Sequence, residues 1–146
     1  MIVSEVDVED IESIEALFVE VFTGEPWNDD WSDRAQLRAY MRDIMGCPNS
    51  LSFALRDGSR LVGAALGSIV HWYAGTEYYV REFFVHPGRQ GSGLGTLLLK
   101  SIEDELRGRG MRSIVLNTER NLPAYRFYVK NGFGEASETR FLHKGL

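Results

Sequence analysis

Residues 87–100 read PGRQGSGLGTLLLK, four glycines within eight residues and then a leucine run. Closely spaced glycines let a backbone approach a ligand with no Cβ atom in the way. Leu94, Leu97, Leu98, Ile102 and Leu106 follow at helical spacing and predict one apolar helix face. The stretch therefore predicts a loop feeding a helix N-terminus, where free N–H groups and the macrodipole favour an anion such as a phosphate. Glycine content alone leaves a plain connecting turn equally open.

Outward from this loop, the pattern alternates between strand and helix periods. Ile2–Val6 predicts an opening strand, and Val8–Phe22 a helix with Ile11, Ile14, Leu17, Phe18, Val21 and Phe22 on its inner face. TGEPWNDDW at 23–31 breaks that helix, and Ser32 is the expected N-cap of a second one carrying Leu37, Tyr40, Met41 and Ile44. Leu51–Arg56, Leu61–Tyr73 and Glu77–His86 predict strands joined by the turns DGSR and AGT. After the glycine loop come a helix to Arg107, a strand Arg112–Asn117, a helix Asn121–Lys130 and one or two closing strands in Phe133–His143. The order implies one α/β domain over residues 1–146 with a mixed sheet.

Composition sets the broad class. The 146 residues are 44% hydrophobic and 25% charged, as in soluble globular proteins. No apolar run approaches the roughly 20 residues of a membrane span. The N-terminus, MIVSEVDVED, lacks the basic-then-apolar pattern of a secretory signal, so a cytoplasmic protein is expected, with no membrane partner. A net charge of −5 argues against nucleic acid and fits a cationic small substrate better. Cys47 is the only cysteine, which excludes an internal disulfide and a multi-cysteine metal site; no metal is expected.

Spacing then discriminates between phosphate-binding loops. A Walker loop requires GxxxxGK[ST], and none of these glycines is followed directly by a lysine. The dinucleotide fingerprint GxGxxG fails because Thr96, Leu97 and Leu98 follow Gly93-Leu94-Gly95. Gln90-Gly91-Ser92-Gly93-Leu94-Gly95 does match Q/R-x-x-G-x-G/A, directly after a strand ending Phe83-Phe84-Val85-His86-Pro87. Downstream, Asn121 to Phe133 matches N-x-x-A-x-x-[FL]-Y-x-K-x-G-F. This ordered pair resembles the acetyl-CoA-dependent N-acetyltransferases of the GNAT superfamily, and the element order over nearly the whole chain does too.

The resemblance implies a mixed, mostly antiparallel sheet of six to seven strands flanked by about four helices and splayed between the fourth and fifth strands. It implies acetyl-CoA as co-substrate, its pyrophosphate held by Gln90, Gly91, Ser92, Gly93, Leu94, Gly95 and Thr96. Many family loops carry a basic residue where Ser92 stands, so one electrostatic contact is missing. The pantetheine arm would hydrogen-bond main-chain groups of Phe84 and Val85 as an added strand does. An N–H near Val85 would polarise the thioester oxygen. Asn121 matches a pantetheine-contacting position and equally suits a helix cap. Tyr128 occupies the family's general-acid position, although a tyrosine on an amphipathic helix also packs as core.

Acetylating an amine requires the neutral amine. A lysine-like amine with a pKa of about 10.4 is neutral in roughly one molecule in a few thousand at pH 7. A carboxylate that removes the proton recovers several kcal/mol. Glu82 is the base candidate: strand alternation places it with Val80, Phe84 and His86 on one face, among aromatic residues that would desolvate it. The competing reading is an exposed strand carboxylate paired with an arginine. His71 and His86 are weaker candidates.

GEPWNDDW at 24–31 is the expected acceptor wall. Trp27 offers an apolar or cation–π surface, while Glu25, Asp29 and especially Asp30 would attract a cationic amine. Trp31 reads rather as a plug over the core edge. Trp72 and Tyr73 are expected to line the same mouth. A loose resemblance to the bacterial aminoglycoside 6′-N-acetyltransferase branch implies a small amine acceptor, with peptide N-termini and a non-catalytic acyl-CoA-binding module as alternatives. Many family members dimerise, so a homodimer is expected on that ground alone.

Overall fold

The computed structural model describes residues 1–146. Its elements are β1 (Ile2–Val6), α1 (Ile11–Phe22), α2 (Arg34–Met45), β2 (Ser50–Asp57), β3 (Arg60–Trp72), β4 (Gly75–Val85), α3 (Leu94–Gly108), β5 (Ser113–Leu116) and α4 (Pro123–Lys130). The five strands form one sheet in sequence order. All neighbours are antiparallel except β4 and β5, which run parallel.

The helices cover both faces of the sheet because each carries one apolar stripe. On one face, Ile14, Leu17 and Phe18 of α1 and Leu37, Met41 and Ile44 of α2 pack on Ala54, Ala64, Leu66 and Phe84. On the other, Leu94, Leu98, Ile102 and Leu106 of α3 pack on Phe53, Leu55, Val62 and Tyr78. Leu97, counted above as inward, is exposed, and Leu99 is buried instead. α2 is capped by Asp33, whose carboxylate accepts from Gln36 N–H at 3.1 Å, one residue later than the Ser32 expected.

Two features differ from the sequence expectation in ways that shape the cleft. First, the sheet has five strands rather than six or seven, because residues 133–146 form none. Gly132 turns the chain at φ +92°. Glu135 is then held by Arg120 at 3.1 Å and by the Tyr125 hydroxyl at 2.9 Å, and the segment does not pair with β5.

Second, β4 bulges. Leu66 pairs with Glu82 and Gly67 with Val80, so Arg81 is an extra residue without a partner in β3. The bulge reverses the alternation, placing Val80 in the α3-side core while Glu82 and Phe84 face α1 and α2. Val80 and Glu82 therefore do not share a face. Gly67 permits the bulge, since a Cβ there would lie 2.4 Å from Tyr79 O and 2.7 Å from the Tyr78 ring. β5 pairs with β4 only from Glu77 to Val80, and beyond it the two strands part.

Candidate active site

The bulge and the end of the β4–β5 pairing coincide, and a cleft opens there. Two cavities, of about 310 and 360 Å³, lie along it. They share Trp27, Phe83, Ala124 and Tyr128 in their walls, so they meet at the Tyr128 ring.

The larger cavity is bounded by the open edge of β4 and the glycine loop, with Gln90, Gly91, Gly93, Gly95 and Thr96 in its wall. His86 N–H donates to Val62 O across β3. Antiparallel alternation therefore gives Phe84's main chain to Ala64 and turns the main chains of Phe83 and Val85 toward the open edge. Phe84 still lines the cavity and is buried in the core, but Phe83, not Phe84, shares the open main-chain edge with Val85. The Gln90 side chain donates to Val85 O at 3.1 Å, tying the loop to that edge.

Gly91 and Gly93 stand at φ +73° and +82°, a region L-residues avoid, and a Cβ built on either meets nothing within 4 Å. Gly93 is the N-cap of α3 and offers no side chain to its first N–H groups. Those groups have no intrahelical partner either, which leaves a ring of donors at the positive end of a 15-residue helix. Ser92 turns away, its hydroxyl donating to Arg89 O, and Leu94's side chain is buried under the loop. Arg89 pairs with Asp57 at 3.1 Å, while Lys130, at the end of α4, lines the same cavity and forms no ion pair. Asn121 is exposed, lines neither cavity and caps nothing, since α4's N-cap is Leu122 with Pro123 behind it.

The smaller cavity is built from side chains of several elements. Phe18 and Phe22 come from α1, Trp27, Asp29 and Trp31 from the loop after it, Arg81 and Glu82 from β4, Glu119 from the segment after β5, and Tyr128 from α4. Trp27 packs edge-on against Phe22 at 5.1 Å, and Trp31 edge-on against Phe18 at 5.4 Å. Trp31 thus both covers the core edge and lines the cavity; its indole N–H is buried with no partner.

Two expected wall residues lie elsewhere. Asp30 accepts the Ser32 N–H at 3.0 Å and is fully exposed; its turn faces solvent and its neighbour Asp29 takes the cavity position. Trp72 ends β3 at the hairpin with Gly75, tilted against exposed Tyr73 and 55% exposed itself, well along the sheet from Glu82. His86 is committed too: Nδ1 accepts from Gly88 N–H at 3.1 Å and Nε2 lies 3.1 Å from Glu20.

Glu82 and Tyr128 face one another across the cleft. Burial pushes the Glu82 carboxyl above the usual carboxylate range; a hydrogen bond from the Tyr40 hydroxyl opposes that, and nearby Asp29 adds to it. Burial, followed by the Glu82 charge, pushes the Tyr128 phenol well up, so it keeps its proton through neutral pH. Tyr128 also packs against Phe83, Phe127 and Phe133, as the packing reading of this tyrosine expects. Tyr40 was read from the sequence only as core. Its signal was a polar-tipped aromatic on an otherwise aliphatic helix face.

Solved structures share this arrangement of elements. AAC(6')-Iy in complex with the bisubstrate analogue CoA-S-monomethyl-acetylneamine superposes with a TM-score of 0.73 at 20% identity, covering 99% of this chain and 98% of that one. An aminoglycoside acetyltransferase, HMB0005, from an uncultured soil metagenomic sample gives 0.72 at 19% identity, over 99% and 96% of the two chains. Ribosomal-protein-alanine N-acetyltransferase from Brucella melitensis biovar Abortus 2308 gives 0.75 at 15% identity, over 99% and 100%. At these identities the likeness establishes the fold. No curated protein matches the sequence. The family model described as Acetyltransferase (GNAT) family matches residues 11–133, and the chain belongs to that family of acetyltransferase enzymes.

Proposed function

We propose that this chain transfers the acetyl group of acetyl-CoA to a primary amine of a small, cationic acceptor by direct attack in a ternary complex. The observation that carries this reading is the junction of the two cavities. A donor groove built from main chain and glycines meets an acidic, aromatic pocket at Tyr128, with Glu82 across it.

The donor groove fits a pyrophosphate. The uncapped N–H groups from Gly93 onward and the open space over Gly91 and Gly93 supply donors without steric cost. Lys130 offers a positive charge where Ser92 has none. The unpaired edge of Phe83 and Val85 would hold the pantetheine as an added strand, with the Val85 N–H available to a thioester oxygen as it gains charge. Acetyl-CoA supplies the activated acetyl group.

The acceptor pocket holds three carboxylates, Asp29, Glu82 and Glu119, against one guanidinium, Arg81, and two tryptophan faces. This balance favours a cationic amine over a neutral one. In this reading Glu82 takes the proton from the acceptor nitrogen, and the Tyr128 hydroxyl donates to the departing sulfur. A phenol whose pKa is raised is a weak acid toward a thiolate, so Tyr128 acts first as a hydrogen-bond donor that follows the charge as it develops. A non-catalytic acyl-CoA-binding module needs neither group.

The test is release of free CoA from acetyl-CoA with neamine, spermidine and a short peptide with a free N-terminus. Release that depends on neamine or spermidine supports the reading. Release with the peptide alone shifts the acceptor to protein N-termini, and tight acetyl-CoA binding with no turnover on any amine favours the binding module. A homodimer, expected from the family resemblance alone, is tested by sedimentation velocity.

A further inference from the structure

Tyr40 has a place in the site that the reaction as described leaves unassigned. It stands on α2, 42 residues before Glu82, and its hydroxyl donates to Glu82 Oε1. The Trp31 ring stacks on it at 5.3 Å and 20°, and Phe18 packs against it at 6.0 Å. Leu37, Met41 and Ile44 on the same helix face are fully buried and make core contacts only. The hydroxyl of Tyr40 is thus carried to the carboxylate by a ring clamped between two aromatic neighbours.

The carboxylate has few other partners. Asp29 faces it from the loop after α1, Arg81 from the β4 bulge, Tyr128 from α4 and Glu119 from the segment after β5; α1 presents only Phe18 and Phe22. None of these forms a hydrogen bond with Glu82. We propose that Tyr40 is the positioning residue of Glu82: its hydroxyl occupies Oε1, fixes the carboxylate rotamer and leaves Oε2 to take the acceptor's proton. This rests on the reading of Glu82 as the base.

The energetics point the same way. Burial and Asp29 both disfavour the charged carboxylate, and Tyr40's donated hydrogen bond is the largest influence that favours it. Reciprocally, burial and Glu82 push the Tyr40 phenol well up, so Tyr40 stays a donor and gives up no proton of its own. The proton balance is therefore unchanged by Tyr40: one proton leaves the acceptor nitrogen for Glu82, and Tyr40 sets the pH at which Glu82 is ready to receive it.

Tyr40→Phe keeps the ring and its stack and removes only the hydroxyl. The first measurement is a carbon-13 titration of the Glu82 carboxyl in the substrate-free protein, its signal assigned by its loss in Glu82→Gln. The expected result is a titration midpoint about one pH unit higher in Tyr40→Phe. The acid limb of kcat/KM, followed with whichever amine of the panel turns over fastest, moves by the same amount. An unmoved midpoint overturns the proposal. If Glu82→Gln loses turnover while Tyr40→Phe shifts neither the midpoint nor the acid limb, positioning fails and the base reading stands. If Glu82→Gln keeps full turnover, both fail together.

Discussion

The two halves of the cleft are made of different material. The donor half is main chain: two glycines at positive φ, an uncapped helix end and a strand edge left open by the parting of β4 and β5. The acceptor half is side chain, with residues 18 to 128 converging on one carboxylate. Backbone donors serve any chemically similar phosphate and tolerate little change in the loop. A wall of side chains can be rebuilt one residue at a time. In the proposed reading the main-chain half holds the donor and the side-chain half selects the amine.

The comparison predicts a separation of effects. The largest belongs to the acceptor-side carboxylate nearest the junction with the donor half. Glu82→Gln should lower turnover about 100- to 10,000-fold while leaving acetyl-CoA affinity in place, read by steady-state kinetics beside calorimetry. As the proposed base, Glu82 acts in its ionised form, and its pKa is raised by burial. Hence kcat/KM should rise with pH through a midpoint above the ordinary carboxylate value of about 4.3. Tyr128→Phe should reduce kcat about ten- to a hundredfold with KM for the amine unchanged, because only the leaving sulfur loses its donor.

A change confined to the donor half should do the reverse. Gly93→Val places a β-branched residue at φ +82°, and acetyl-CoA affinity should fall about tenfold, with the amine KM extrapolated to saturating donor unaltered. The smallest effect sharpens the acceptor side. Asp29→Asn should raise KM for a cationic amine a few-fold and weaken its salt dependence, whereas Asp30→Asn, one residue on, should leave both as they are. Equal effects at the two positions would mean that overall charge, not the cavity, attracts the amine.

The difference between the halves also explains which parts could be read in the sequence. The helix stripes, the glycine loop and the downstream motif are local patterns, and the corresponding elements and cavity stand where those patterns point. The bulge at Arg81 is not a local pattern. It depends on Gly67 in a neighbouring strand, and strict alternation therefore grouped Val80 with Glu82. Asp29 and Asp30 are adjacent acids with no period to separate them; the turn to Ser32 decides which faces the cavity. Tyr40 obeys the core period of α2, and only the position of Glu82 across the cleft gives its hydroxyl a purpose. The closing strands expected in Phe133–His143 do not form: Gly132 turns the chain, and Arg120 and Tyr125 hold Glu135.

The most direct test of the account is one paired measurement on wild type and Glu82→Gln. Calorimetric acetyl-CoA affinity and amine-dependent release of free CoA are followed on the same preparations. Equal affinities and turnover confined to wild type are expected. Equal turnover, or a loss of acetyl-CoA binding in Glu82→Gln, would contradict the division of the cleft into a main-chain donor groove and a side-chain acceptor pocket joined at Glu82 and Tyr128.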